Sequence, residues 1–220
     1  MSLIAIPRVT LIHAVQVAMQ PVEEAFRSHW PEADIVHLLD SSLSPDRAKH
    51  DAISPKLHAR INSLADYAVV TGTDAILYTC SAFGDAIDAA ARRLALPVLK
   101  PNTSMFEVAL ETGKRIGMLA TFAPSVDSME EEFRLLTQKR GANALMTSIV
   151  VPEAMAALKD GNVALHNELL AAAAHGLRGC DCILLAHFST SRAQAAVQAV
   201  SDCLVLTSPG SAVQKLRSLM

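Results

Sequence analysis

Short, continuously apolar runs alternate along this chain with longer stretches in which apolar residues recur at helical spacing. The short runs predict strands at 9–14, 34–39, 75–79, 97–99, 115–120, 145–150, 182–186 and 203–207. The longer stretches predict helices, among them 22–30, 46–71, 85–94 and 126–140. The strand runs do not alternate apolar with polar, so both of their faces should be covered. Strand–helix alternation of this kind gives an α/β fold with parallel sheets and right-handed crossovers.

The pattern repeats. A gapless shift of 107 residues lays Arg8 on Arg115 and RVTLIHA on RIGMLAT. The same shift lays Glu23-Glu24-Ala25-Phe26-Arg27 on Glu130-Glu131-Glu132-Phe133-Arg134, and Asp74-Ala75-Ile76-Leu77 on Asp181-Cys182-Ile183-Leu184. Pro45 meets Pro152, and Gly72 meets Gly179. Two alanine-rich halves could share aliphatic positions by chance. They would not also share EE-x-FR, Pro, Gly and Asp in one register, so duplication is the better explanation. The expected architecture is two pseudo-symmetric four-stranded parallel α/β halves, 1–101 and 102–220, with segment 208–220 a candidate to pack on the first half. A pseudo-two-fold relation would place the active site in the cleft between them.

Composition narrows the function classes. Apolar residues make up 51% of the 220, which excludes a disordered chain. A net charge of −3 without any basic run gives no footprint for nucleic acid or an anionic membrane, and 4% aromatics offer no stacking surface. No stretch approaches the roughly 20 apolar residues of a spanning helix, and residues 1–8 lack a signal-peptide pattern. The expectation is a soluble, cytoplasmic protein whose four cysteines are reduced. Cys180-Asp181-Cys182 alone is too weak a motif to imply a metal. Cys180, Cys182 and Cys203 read as core residues, and His50, His58 and His166 as surface or cap residues.

In open parallel sheets, ligands bind beyond the carboxyl ends of the strands. The third strand of each half runs into the least ordinary residues of the chain: Cys80-Ser81-Ala82-Phe83-Gly84 in the first, His187-Phe188-Ser189-Thr190-Ser191 in the second. The shift superimposes Cys80 on His187. A free cysteine is most often a small buried apolar residue; the strand-end position and matched partner set Cys80 apart. A helix start should stabilise a Cys80 thiolate, lower its pKa and make it alkylate well below pH 8. The same field should keep His187 neutral and able to take or give a proton. The N–H groups of Ser81, Ala82, Phe188 and Ser189, with the hydroxyls of Ser81, Ser189 and Thr190, could hold a carboxylate.

These motifs resemble the aspartate/glutamate racemase superfamily, which includes hydantoin racemases, maleate isomerase and arylmalonate decarboxylase. Ile76-Leu77-Tyr78-Thr79-Cys80-Ser81-Ala82 matches the family's first motif, an apolar strand followed by Cys, a polar residue and a small one. Asp181-Cys182-Ile183-Leu184-Leu185-Ala186 matches the start of the second and then departs, with His187 in the place of a cysteine and Phe188 in that of a threonine. Arg115-Ile116-Gly117-Met118-Leu119-Ala120-Thr121 resembles the strand before a substrate-contacting loop. The resemblance implies a cofactor-independent enzyme, free of metal and pyridoxal phosphate, that acts on a small carboxylate in amino acid metabolism. A homodimer is compatible with it, because members often dimerise. It also implies substrate contacts from Thr121, Phe122, Ser189, His13 and Gln16; Phe122 and Phe188 would wall an apolar pocket.

Three functions compete. The leading one is a racemase-like isomerase in which Cys80 and His187 exchange a proton on opposite faces of the carbon next to the carboxylate. The second is a decarboxylase or C–C lyase, which makes its own carbanion and needs one proton donor. The third is a non-catalytic small-molecule binding module with the same two-lobed fold.

Overall fold

The computed structural model describes residues 6–50 and 52–220. Residues 1–5, part of the N-terminal stretch considered above, and Asp51, within the helical stretch expected over 46–71, lie outside them. The chain divides into two compact units, Met1–Pro101 with Ala212–Met220, and Asn102–Ser211.

The first unit runs β1 (Arg8–His13), α1 (Met19–His29), β2 (Asp34–Leu39), α2 (Leu43–Arg47), α3 (Pro55–Val70), β3 (Ala75–Tyr78), α4 (Gly84–Arg93) and β4 (Val98–Leu99). The second runs α5 (Thr103–Thr112), β5 (Arg115–Ala120), α6 (Val126–Lys139), β6 (Leu145–Val150), α7 (Pro152–Lys159), α8 (Val163–Ala174), β7 (Cys182–Leu185), α9 (Gln194–Ala199) and β8 (Leu204–Thr207). Helix α10 (Ser208–Leu219) starts in the second unit and belongs to the first from Ala212 onward. Each unit holds one parallel four-stranded sheet, ordered β2-β1-β3-β4 and β6-β5-β7-β8. All eight expected strands are present, with ends within one residue of those expected.

Burial explains why these strands were legible. The central strands β3 and β7 are buried along their whole length, and β1 and β5 at all but their first residue. In the second unit Ile116, Met118, Cys182 and Leu184 pack against Met105 and Phe106 of α5 and Met129 and Phe133 of α6. Leu119, Ile183 and Leu185 face the other way, against Leu170 of α8 and Val197 of α9. In the first unit Ile12, Ile76 and Tyr78 pack on Ile61 and Ala65 of α3 and Ala86 and Ile87 of α4. A side chain of this size removed from water contributes about 2 kcal/mol, so the covered sheets dominate stability.

The shared polar residues of the two halves hold equivalent positions. Asp74 accepts the Arg8 backbone N–H at 2.8 Å, and Asp181 accepts that of Arg115 at 2.8 Å. Gly72 (φ 77°) and Gly179 (φ 87°) both make the left-handed turn that leads into the third strand. Among the strands the gapless register fails at one place: the shift lays the start of β2 on Gly141, whereas β6 begins at Leu145.

Two sequence expectations need correction. The stretch 46–71 is not one helix, because Ser54 is extended (ψ 154°), caps α3 by accepting the Leu57 N–H at 3.3 Å, and precedes Pro55 in the first turn. A proline inside a helix lacks the N–H to bond back, so the helix restarts there. His166 is not at the surface: it is fully buried in α8, with Nδ1 2.8 Å from Asn167 Oδ1. Cys182 is fully buried in the core on one face of the sheet, Cys180 and Cys203 are half-buried against the core on the other, and all four cysteines are free thiols. Among the described residues no helix is long and apolar enough to cross a membrane, and no three or more His, Cys, Asp or Glu side chains are grouped so as to hold a metal ion.

Candidate functional site

The third strands of the two units end on the same hydrogen bond. Thr79 N–H donates to the Ile12 carbonyl at 3.0 Å, and its counterpart Ala186 N–H to the Leu119 carbonyl at 2.9 Å. Cys80 and His187 come next. In each unit the sheet therefore delivers the candidate residue at the carboxyl end of a central strand, where the ladder stops and backbone N–H groups are free to face a ligand.

Beyond that bond the two turns differ. Cys80 is extended (φ −127°, ψ 124°) and leads into a 3-10 turn, Ser81–Phe83, before α4. It is half-buried on the core of its unit. Burial pushes its thiol pKa up; the Ala82 N–H and the Arg47 guanidinium favour the thiolate but do not overcome burial. This corrects the expectation of a lowered pKa: the helix-start donors are present, yet desolvation dominates, and alkylation should be slow at pH 8. Ser81 is half-buried and Ala82 exposed; the Ala82 carbonyl accepts from Arg47 Nε at 3.3 Å.

His187 has φ 70°, the one non-glycine residue among those described in the left-handed region. The Thr190 hydroxyl donates to its carbonyl at 2.8 Å and the Ser191 hydroxyl to the Phe188 carbonyl at 2.7 Å, and these two bonds hold the turn. Backbone strain that is held so deliberately is a common mark of a working position. The ring's Nε2 lies 2.6 Å from Ser125 Oγ, and the Ser125 hydroxyl donates to the Phe122 carbonyl at 2.8 Å. A hydroxyl has one proton, so with that proton on Phe122 the imidazole supplies Nε2–H. This tautomer leaves the Nδ1 lone pair as the free base, and Nδ1 is buried without a hydrogen-bond partner. Burial lowers the pKa of His187 to about 4 against the opposing pull of the Ala186 carbonyl. The imidazole is neutral at pH 7, as expected from the sequence, but burial is the main reason.

Around His187, Thr121 is buried with its hydroxyl unpartnered, Phe122 is 52% exposed, and Phe188, Ser189 and Thr190 are buried. Phe122 and Phe188 thus occupy different environments, one open and one enclosed. In the first unit Gln16 is exposed at the start of a 3-10 turn after β1. His13 is fully buried, with Nδ1 2.9 Å from Thr79 Oγ1 and Nε2 2.9 Å from His37 Nδ1. Both of its ring nitrogens are engaged inside the unit, so it has none to offer a substrate. Sequence reasoning did not single out Ser125, Thr79, His37, Glu23 or Arg47. For Glu23 a signal existed, its place in the repeated EE-x-FR.

The family model for Asp/Glu/hydantoin racemase matches residues 12–141 of this chain. By sequence alone no curated protein matches it. Solved structures share its fold. Allantoin racemase from Klebsiella pneumoniae superimposes with a TM-score of 0.73 at 19% identity, covering 97% of this chain and 87% of that one. Aspartate racemase from Picrophilus torridus gives 0.67 at 17%, covering 95% and 93%. Glutamate racemase from Thermus thermophilus, in complex with β-chloro-D-alanine, gives 0.68 at 16%, covering 97% and 80%.

Proposed function

Because the chain belongs to the Asp/Glu/hydantoin racemase family, we propose that it is a cofactor-independent isomerase that inverts the carbon next to a carboxylate in a small acid. In this reading Cys80 and His187 exchange a proton on opposite faces of that carbon. The supporting observation is the shared strand-end hydrogen bond, Thr79 to Ile12 and Ala186 to Leu119, which presents Cys80 and His187 at equivalent positions.

Protonation states give the chemistry a direction. At pH 7 the free protein holds a thiol at Cys80 and a neutral imidazole at His187. That form takes the α-proton with His187 Nδ1 and returns one from the Cys80 thiol, and it ends as imidazolium and thiolate. The opposite enantiomer needs the opposite form, so each turnover must be followed by proton exchange with water. An imidazole held near pKa 4 is a weak base, and the developing enolate needs strong donors. The N–H groups of Ser81, Ala82, Phe188 and Ser189 and the unpartnered Thr121 hydroxyl would supply them, while Phe122 and Gln16 would border the substrate's other end. The protein would be cytoplasmic and would bind neither nucleic acid nor membrane.

A second reading has one observation in its favour: only one of the two strand ends carries a thiol, and decarboxylation needs a single proton donor. Incubating the protein in D2O with each enantiomer of aspartate and glutamate, with allantoin and with an arylmalonate separates the readings. Deuterium at the α-carbon with loss of optical rotation supports the isomerase. Carbon dioxide release supports the decarboxylase, and binding without either supports a sensing role.

A further inference from the structure

Four side chains of the first unit form a line that the reaction above does not use. Thr79 Oγ1 lies 2.9 Å from His13 Nδ1, His13 Nε2 lies 2.9 Å from His37 Nδ1, and His37 Nε2 lies 3.5 Å from Glu23 Oε1. The two rings are stacked, centroids 5.1 Å apart. The line starts at a buried hydroxyl, passes through a fully buried imidazole and ends at a carboxylate whose side chain is 39% exposed. It starts one residue before Cys80.

The proton positions follow from the ends inward. The Glu23 carboxylate can only accept, so His37 places its proton on Nε2 and leaves Nδ1 as acceptor. His13 must then carry Nε2–H, which makes its Nδ1 an acceptor for the Thr79 hydroxyl. Burial, with the charge of His37 adding to it, lowers the pKa of His13 to about 4, so the ring holds a single proton at neutral pH as this order requires. Every donor points from Thr79 toward Glu23. Thr79 has an alternative acceptor in the Ile12 carbonyl at 3.4 Å, so its hydroxyl can turn when the order reverses.

We propose that Thr79, His13, His37 and Glu23 form a proton relay between the strand end beside Cys80 and the protein surface. A proton arriving on the Thr79 oxygen sends the hydroxyl proton to His13 Nδ1 and the His13 Nε2 proton to His37 Nδ1. One proton has entered, no heavy-atom bond has changed, and the charge rests on His37 beside Glu23, where water can take it. The reverse sequence delivers a proton inward. Glu23 on α1 is the carboxylate recorded against the ring pair, 3.5 Å from His37 Nε2. Asp40, whose N–H donates to the His13 carbonyl at 3.1 Å, is ion-paired with Arg60. This proposal deepens the reading of Cys80 as a proton carrier, because such a site must be reset after each turnover.

The test has one arm that needs no substrate. Long-range proton–nitrogen NMR of the full chain should show both rings as Nε2–H tautomers at pH 8. As the pH is lowered and a proton enters the line, His13 should switch to Nδ1–H; in Glu23→Gln the ring order should be mixed already at pH 8. A His13 that keeps one tautomer across the whole pH series, or is indifferent to Glu23→Gln, overturns the relay whether or not the protein is a racemase. In the second arm, His37→Phe keeps the stack and breaks the line. Turnover of whichever acid exchanges its α-proton should fall about tenfold in kcat with KM unchanged, and added imidazole should restore it. An unchanged kcat overturns the role in turnover while leaving the isomerase reading intact.

Discussion

The turns after β3 and β7 begin from the same hydrogen bond and then follow different backbones, Cys80 extended and His187 left-handed. The surroundings differ too. His187 is held by local hydroxyls, with Ser125 fixing its ring and Thr190 its carbonyl. Cys80 has no such latch among the described contacts; it has a relay of imidazoles one residue upstream and a guanidinium nearby. The difference shows how a duplicated scaffold can host unlike chemistry. The sheet fixes where the strand-end side chain stands, and the few residues after it decide how it is held and which protons it carries.

The comparison can be broken most sharply at its two leading residues. Cys80→Ala should reduce α-carbon exchange at least about 10³-fold, and His187→Ala by about 10²–10⁴-fold, the range for a lost acid or base. His187→Cys, which places a thiol in both turns, should retain more exchange than His187→Ala. Equal activity in all three variants would remove both residues from the mechanism.

Stability against pH probes the buried imidazoles. His13 and His187 stand near 4 against an ordinary 6.5, so below pH 6.5 the unfolded chain takes up protons that the native protein refuses. Stability is complete above pH 6.5 and should decline as the pH falls toward 4, by about 3 kcal/mol for each ring. Urea midpoints at pH 7.5 and 4.5 measure this, and His187→Ala should show a shallower decline.

A smaller effect is expected from Ser125→Ala, which leaves His187 Nε2–H without its partner. Exchange should fall about tenfold, the cost of about 1–2 kcal/mol for an orphaned buried donor. Gly72→Ala and Gly179→Ala should each cost about 1 kcal/mol, because both force a Cβ into a left-handed turn. Similar losses in thermal melts of the two variants would confirm that the entries into β3 and β7 are equivalent; a difference of several-fold would break that symmetry.

Much of this was legible in the chain. The strands could be read because both of their faces are covered, which makes them continuously apolar. The duplication could be read because Arg8, Asp74 and Gly72 perform a backbone task repeated by Arg115, Asp181 and Gly179. The break at Ser54-Pro55 was readable from local chemistry but hidden by the apolar period running through it. The relay was out of reach, since His13 and His37 meet only through the pairing of β1 with β2, in which His37 stands across from Leu11. The thiol's raised pKa was also hidden, because the strand-end position announces donors but not the burial that outweighs them.

A crystal structure of the protein with bound aspartate or allantoin would settle the pairing of the two turns. Cys80 Sγ and His187 Nδ1 should lie on opposite faces of the stereocentre, each within about 3.5 Å of it, the spacing of a near-attack geometry. A ligand reached by only one of them, or by both from the same face, would contradict proton exchange between Cys80 and His187.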